Sequence, residues 1–463
     1  MSRELESNRP TVAAIVLAAG KGTRFRSDLA KVLHRAAGRS LVGHALESIR
    51  PLGLGQIIVV VGHQREAVAA EVASLDLPGT VTVVQEDQRG TGHAVQVALP
   101  ALADDIERVL VLPGDTPLLT APTLYALDAA ADGRTAAMLT AVLDDPTGYG
   151  RVLRDDTGNV SRIVEHRDAT AEERAVGEVN AGMYLVDRGA LEDAIGRIDD
   201  ANDQGELYLT DVVGILTGDG REVGAVVAAE DEVAGVNDRW QLAAAAGVLR
   251  QRHIARLAAD VGVTVDDPCT THVDVTVRVE RDARLLPGTI LEGTTVIGER
   301  AVVGPNSHLT DTTVGTDATV HSTRADEAVI GDRATVGPFT HLRAGTRLGV
   351  ATKAGAFVET KNAEVGEGTK IPHLAYIGDA TLGTDVNIAC GVITVNYDGR
   401  TKSHTTVGDG AFVGCDVSLV APVTIGDGAY VAAGSVVTDD VPSDALAIAR
   451  SRQVNKEGWA AER

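Results

Sequence analysis

The chain has 463 residues and carries 42 Lys and Arg against 65 Asp and Glu, a net charge of −23. That balance argues against a nucleic-acid or anionic-membrane binder and for a soluble protein, and the length allows two to four domains with a sizeable core. Three cysteines, Cys269, Cys390 and Cys415, show no CxxC spacing and read as free thiols in a reducing compartment. The N-terminus from Met1 to Pro10 is polar, and the apolar run Val12 to Ala19 is too short to span a bilayer. A cytoplasmic protein is therefore expected, with neither a membrane nor nucleic acid as partner.

The run Val12 to Leu17 is continuously apolar, the pattern of a strand buried on both faces of a parallel sheet. It leads into Leu17-Ala18-Ala19-Gly20-Lys21-Gly22-Thr23-Arg24-Phe25, where small residues let backbone N–H groups approach a phosphate or a base. Lys21 and Arg24 add positive charge. The Walker A spacing is absent, and G-x-G alone also fits a tight turn opening a helix. Further apolar runs at Ile57–Val61, Val81–Val84, Val109–Leu112 and Ala136–Val142 alternate with helical stretches such as Leu41–Ile49 and Glu66–Val72. This alternation predicts a doubly wound α/β sheet with ligands beyond the carboxyl ends of its strands. Asp115, in Leu112-Pro113-Gly114-Asp115, falls at such an end. There it suits a Mg²⁺ ion that keeps water and substrate phosphates, although an Asp in that place also caps turns. Trp240 to Leu257 is alanine-rich with Leu242, Ala246, Leu249 and His253 at helical spacing, and reads as a helix joining two domains.

From about Val273 a six-residue rhythm takes over. Val273, Val279, Leu285, Leu291, Ile297, Val303 and Leu309 are aliphatic and six apart. Four residues after each comes a compact side chain: Val277, Ala283, Thr289, Thr295, Ala301, Ser307 and Thr313. The rhythm slips at Val314 and Val320, returns at Ile330, Val336, Leu342 and Leu348, and runs again from Val407 to Val437. Neither a helix nor a flat strand repeats every six residues. A parallel β-helix does, each hexapeptide forming one face whose aliphatic residue joins a column shared by stacked coils. Gly391 to His404 interrupts the rhythm with Asn396-Tyr397-Asp398-Gly399 and reads as a protruding loop of the kind that carries function. His373 alone would more often be structural. It lies, however, between Arg343 and Lys361 on one side and Asn387, Asn396 and Tyr397 on the other, on neighbouring coils.

The glycine loop together with Lys31 resembles the signature loop of sugar-phosphate nucleotidylyltransferases. Gln85 and Gln88-Arg89-Gly90-Thr91-Gly92-His93 resemble that family's uracil-reading segment. Thr147 to Arg151, Glu165-His166-Arg167, Asn180-Ala181-Gly182 and Gly235 to Arg239 resemble its sugar-site strings. The six-residue array resembles the left-handed β-helix of hexapeptide-repeat acyltransferases. In this order, over roughly residues 11 to 460, both halves resemble the bacterial bifunctional N-acetylglucosamine-1-phosphate uridylyltransferase/glucosamine-1-phosphate acetyltransferase family. The terminal Ala447-Ile448-Ala449-Arg450 and Lys456-Glu457-Gly458-Trp459 belong to the match.

The resemblance implies a Rossmann-like doubly wound domain at 1–238, a linker helix at 239–262 and a left-handed β-helix at 263–463. It implies synthesis of UDP-N-acetylglucosamine for cell-envelope polymers such as peptidoglycan or lipopolysaccharide, with acetyl-CoA and UTP as co-substrates. Leu17, Ala18, Ala19, Gly20, Lys31, Gln85, Gly90, Thr91, Gly150, Glu165, Asn180 and Asn237 would bind UTP or its product. Lys21 and Arg24 would bind phosphate, and Asp115 and Asn237 would hold Mg²⁺. In the second site His373 would be the catalytic base. Arg343, Lys361, Tyr376 and Asn387 would bind glucosamine-1-phosphate. Cys390, Asn396, Tyr397, Cys415, Ala433 and Arg450 would line the coenzyme A site. The family works as a homotrimer. The chain departs from many relatives at Pro113, before Gly-Asp, and at Cys390 and Cys415, where Ala and Ser are usual. Two other readings are a nucleotidylyltransferase for another sugar whose β-helix only oligomerises, and a non-catalytic scaffold. The long array with His373 and its loop weighs against the first, and intact Lys21, Lys31, Asp115, Asn237 and His373 weigh against the second. An assay with acetyl-CoA and glucosamine-1-phosphate separates all three.

Overall fold

The computed structural model describes residues 9–462, with backbone alone for Arg9 and Pro10. The polar positions 1–8 lie outside the described residues. The chain divides into two compact units, one ending at Leu249 and one beginning at Arg250. The division falls inside the helix Arg239–Arg256, within the stretch assigned above to a linker.

The first unit is built on nine strands: β1 (Arg9–Ala18), β2 (Leu54–Val61), β3 (Thr80–Val84), β4 (Arg108–Pro113), β5 (Ala136–Val142), β6 (Arg151–Arg154), β7 (Val160–Val164), β8 (Glu178–Asp187) and β9 (Val223–Val227). Their order is β9-β5-β8-β4-β1-β2-β3, with β6 paired to β7 and β8. β1 runs parallel to β2 and β4, and β2 parallel to β3. β8 is antiparallel to both β4 and β5, so the sheet is mixed. Residues along β1 alternate between two cores. Ala14 and Val16 pack with Leu46 and Val59 on one face, and Ala13 and Ile15 with Val60 and Val111 on the other. Helices α1 (Leu41–Ile49), α2 (Arg65–Ser74), α3 (Thr91–Ala98) and α4 (Ala121–Ala130) are among those covering the sheet. Ser40 caps α1 by accepting the Gly43 N–H at 3.0 Å.

The second unit is a parallel β-helix. Its register advances by three hexapeptides per coil: Val273 pairs with Leu291, Leu291 with Leu309, and Val279 with Ile297. The aliphatic residues of the rhythm form one continuous core, and Leu285, Leu291, Ile297, Val303 and Leu309 expose nothing. Burying each such side chain contributes about 1.5–3 kcal/mol.

Three sequence expectations need correction. The coil stacking begins before the rhythm read from Val273, because Thr264-Val265 already pairs with Arg284-Leu285, inside the 263–463 span expected for the β-helix. The Asp266-Asp267-Pro268-Cys269 segment hides this first strand from a six-residue count. The compact residue buried after Leu309 is Thr312, whereas Thr313 points outward, so the slip precedes Val314. The loop is also shorter than expected. Ile393–Val395 continues the β-helix by pairing with Ser418–Val420, and only the segment from Asn396 to His404 protrudes, closed by a bridge between Tyr397 and Lys402.

The middle coils look irregular in sequence because the column is filled there by Ala325, Ala354, Thr360 and Thr394. The buried Thr346 and Thr360 hydroxyls satisfy each other at 2.9 Å. If the column is one shared core, Ile297→Ala should cost about 2–5 kcal/mol and lower the unfolding midpoint measured by calorimetry. An unchanged midpoint would contradict it.

Candidate functional site

At the end of β1 the chain turns through Gly22 with φ 61°. A Cβ there would lie 2.4 Å from the Lys31 Cβ, so only glycine lets the Lys31 stem pass beneath the loop. Two contacts not foreseen from sequence anchor this loop. Arg239 donates to the Phe25 carbonyl at 3.1 Å, and His34 stacks on the Phe25 ring with centroids 4.5 Å apart. Burial, with Arg239 nearby, lowers the His34 pKa and favours the neutral ring.

Asp115 follows β4, and its carbonyl accepts the Val236 N–H at 2.9 Å. This ties the Asp115 loop to the segment carrying Asn237. The Asn237 backbone N–H is held by the Gln241 side chain at 2.7 Å, and its Nδ2 donates to the Gly235 carbonyl at 3.0 Å. The Asn237 Oδ1 is thereby turned toward Arg24 at 2.9 Å and Lys31 at 3.3 Å. The Lys31 ammonium also contacts the Asp115 carboxylate. One carboxylate and one amide oxygen thus face a single cation, here an ammonium. That donor set suits a hard divalent ion completed by phosphate and water. Among the described residues no cluster of three His, Cys, Asp or Glu could hold a metal by itself.

An open cleft of about 440 Å³ lies beside this cluster. Leu17 to Gly20 and Lys31 form one wall, Gln85, Gly90 and Thr91 another, and Glu165 and Asn180 a third. Gln85 is buried and donates to the Gly90 carbonyl at 3.2 Å and to Nδ1 of His93 at 3.1 Å. Gly90 has φ 108°, and a Cβ on it would lie 2.6 Å from the Leu207 carbonyl oxygen. Gly150 is joined to Asn180 through its carbonyl, which accepts the Asn180 N–H at 2.9 Å, and it packs against Glu165. Burial raises the Glu165 pKa, Asp168 and Asp211 add to the rise, and the Thr210 hydroxyl opposes it. Pro113 lines the same cleft. Lys21 borders an adjoining cavity with His63, Gln88 and Arg89. The segment from Glu206 to Thr210 also lines the cleft in part, and sequence reasoning missed it.

In the β-helix, register decides which residues meet. Lys370 pairs with Asn387 and Tyr376 with Ile393, so each strand partner is seventeen residues on and His373 falls opposite Cys390. Asn387 pairs with Phe412 and Ile393 with Ser418, twenty-five on, which places Cys390 opposite Cys415. Phe412 pairs with Tyr430 and Ser418 with Val436, eighteen on, which places Cys415 opposite Ala433. His373, Cys390, Cys415 and Ala433 therefore occupy one corner of four successive coils. The Arg450 stem lies at that end, its Cδ 3.6 Å from where a Gly434 Cβ would be. His373 and Cys415 are exposed, and Cys390 is half-buried.

Arg343 and Lys361 follow the paired Leu342 and Thr360 and so adjoin on neighbouring coils. Lys402 lies beside Lys361 and, with Arg343, pushes the Lys361 pKa down. Asn396 donates to Asp379 at 2.5 Å, and Tyr397 is exposed in the loop. Asn387 and Tyr376 point outward on separate strand faces. Lys361 pairs with Gly378, five residues beyond His373, and the backbone turns through Leu374 and Asp379 at positive φ. His373 and the Lys361 cluster thus sit at opposite ends of one face, up to roughly 16 Å apart at about 3.3 Å per residue.

Known families match both units. A MobA-like NTP transferase domain matches residues 14–177, and a bacterial transferase hexapeptide (six repeats) matches residues 404–439. The bifunctional protein GlmU of Streptomyces avermitilis is 53% identical over 97% of this chain and 94% of its own length. Those of Thermobifida fusca and Corynebacterium glutamicum are 51% and 49% identical, over 98% and 96% of this chain and 95% and 93% of theirs. The chain belongs to the family of bifunctional GlmU proteins, enzymes that act as glucosamine-1-phosphate acetyltransferase and N-acetylglucosamine-1-phosphate uridylyltransferase in UDP-N-acetylglucosamine synthesis.

Proposed function

We propose that the two reactions run at two separate sites of this chain, with uridylyl transfer in the first-unit cleft and acetyl transfer on the corner column of the β-helix. The convergence of Lys31, Arg24, Asp115 and Asn237 beside the cleft supports the first assignment. Gln85, Gly90 and Thr91 hold the uracil end, and Gly150, Glu165 and Asn180 hold the sugar. A phosphate oxygen of N-acetylglucosamine-1-phosphate attacks the α-phosphorus of UTP, and pyrophosphate leaves. This chemistry needs alignment and charge neutralisation more than a side-chain base. Lys21 and Arg24 supply fixed charge. Mg²⁺, held by Asp115 and Asn237, would neutralise phosphate charge in addition.

In the second site the amine of glucosamine-1-phosphate attacks the thioester carbonyl of acetyl-CoA. His373 takes the amine's proton, and the coenzyme A thiolate leaves. Coenzyme A lies along the column from Cys390 through Cys415 and Ala433 to Arg450, with Asn396 and Tyr397 beside it. Arg343 and Lys361 hold the sugar phosphate, with Tyr376 and Asn387 placing the sugar. The crowding of cations that lowers the Lys361 pKa supports this reading, because a phosphate there relieves their repulsion. The flat sides of the β-helix invite packing about a threefold axis, and in a trimer neighbouring chains would complete each acetyl-transfer site. Among the described residues no helix is long and apolar enough to cross a membrane. A cytoplasmic location accords with three cysteines that are all free thiols.

The independence of the sites is open to direct test. Asp115→Ala should lower uridylyl transfer by more than about a hundredfold and leave acetyl transfer within about twofold, and His373→Ala should do the reverse. A folded variant that lost both activities would refute it. Sedimentation velocity should show three chains per particle, and a monomer with full acetyl transfer would sink the shared site. The thiols give a third test. No cysteine precedes Cys269, so maleimide should inhibit acetyl transfer and spare uridylyl transfer, with acetyl-CoA protecting. In a Cys269→Ser background, acetyl transfer that survived full labelling of Cys415 would remove coenzyme A from that corner.

A further inference from the structure

The cleft is closed on one side by a segment that no sequence motif marked. Leu207 pairs with the uracil-reading turn in both directions: its N–H donates to the Arg89 carbonyl at 2.8 Å, and its carbonyl accepts the Gly92 N–H at 2.8 Å. Two residues on, the Leu209 N–H donates to the Thr91 hydroxyl oxygen at 3.2 Å. The next residue, Thr210, is buried and lines the cleft, and its hydroxyl donates to Oε1 of Glu165 at 3.2 Å. Leu207 to Thr210 therefore joins the part of the cleft assigned to the base with the part assigned to the sugar.

Glu165 needs such a partner. It forms the wall between the cleft and a second cavity lined by Asp168, Asp211 and Tyr208. The groups facing it are the Asp168 and Asp211 carboxylates, the Tyr184 and Tyr208 phenols and the Thr210 hydroxyl. Both carboxylates and burial disfavour its ionised form, and the Thr210 hydroxyl alone counters them. A carboxylate without that hydrogen bond would be free to swing toward the second cavity or to take up a proton.

We propose that Thr210 is a positioning residue for the acceptor sugar, holding the Glu165 carboxylate toward the cleft while its own segment is fixed by the uracil-reading turn. This rests on Glu165 being a sugar ligand. Removing the hydroxyl releases the carboxylate and raises its pKa further. The ionised fraction at a given pH then falls, and the acid limb of kcat/KM moves to higher pH.

The test uses the full chain and varies N-acetylglucosamine-1-phosphate at saturating UTP across the acid limb. Thr210→Val should raise the sugar-phosphate KM about tenfold with kcat within about twofold, and should shift the acid limb upward. Thr210→Ser should restore both. In a Glu165→Gln background, Thr210→Val should add nothing. An unchanged kcat for uridylyl transfer reports that the first unit is folded, and Thr210→Ala replaces Thr210→Val if the valine variant does not fold. An unchanged KM and acid limb in Thr210→Val, with KM raised in Glu165→Gln, would overturn the positioning role alone. An unchanged KM in Glu165→Gln would overturn the sugar assignment of Glu165 itself. A full additional effect of Thr210→Val in the Glu165→Gln background would show that Thr210 acts other than through Glu165, which also overturns the proposal.

Discussion

In the second unit everything depends on one constraint: a coil can bury its aliphatic residues only against another coil. Ile297 has no core of its own and shares one with Val279 beneath it and Val314 above. That requirement fixes how many residues each coil contains, and the coil length in turn fixes which side chains align along the axis. His373, Cys390, Cys415 and Ala433 are far apart in sequence at unequal intervals. They form a column only because the hydrophobic register around them is kept. The loop before His404 lengthens one coil without breaking the pattern, since Ile393–Val395 and Thr405–Val407 still pair with the next coil.

The repeat was legible wherever aliphatic residues fill the column and obscure where other residues do the same work. Ala354 and Thr360 occupy core positions, but neither reads as hydrophobic in a pattern of Val, Ile and Leu. The threonine is tolerated because its hydroxyl bonds to Thr346 inside the core. Steps of five residues, as from Thr360 to Val365, blur the count further. In the first unit the strands at Ile57, Val109 and Ala136 were legible because burial leaves unbroken apolar runs, and the half-exposed edge strand at Val81 because its residues are β-branched. The antiparallel course of β8 left no trace in composition. Strand direction is set by connection and packing, which a local pattern does not encode.

Site residues divide in the same way. Glycines and charges in loops were readable because only certain residues permit those backbones or supply that charge. Their supports were not. Gln241 fixes Asn237, Arg239 and His34 fix Phe25, and Leu207 to Thr210 tie the turn at Arg89 to Gly92 to Glu165. Each of these acts through a backbone group or an ordinary hydroxyl, amide or ring, whose partner is defined only once the chain has folded.

The two units also solve the problem of binding phosphates in an acidic chain differently. Of seven lysines, two belong to the glycine loop and its partner, and four lie between Lys353 and Lys402. In the cleft the cations are paired before substrate arrives, Lys31 with Asp115 and Arg24 with Asn237. An anion entering the cleft would have to displace these protein contacts, which favours one that brings its own cation. On the β-helix, Lys361 faces Lys402 and Arg343 with only partial relief from Asp379, which is itself engaged by Asn362 and Asn396. Arg343 is itself paired with Glu359 at 2.8 Å, so Lys361 and Lys402 are the cations left crowded, and an anion between them would relieve their repulsion. These two charge arrangements suit the ligands proposed for them, a triphosphate accompanied by a metal in the cleft and a sugar phosphate on the β-helix.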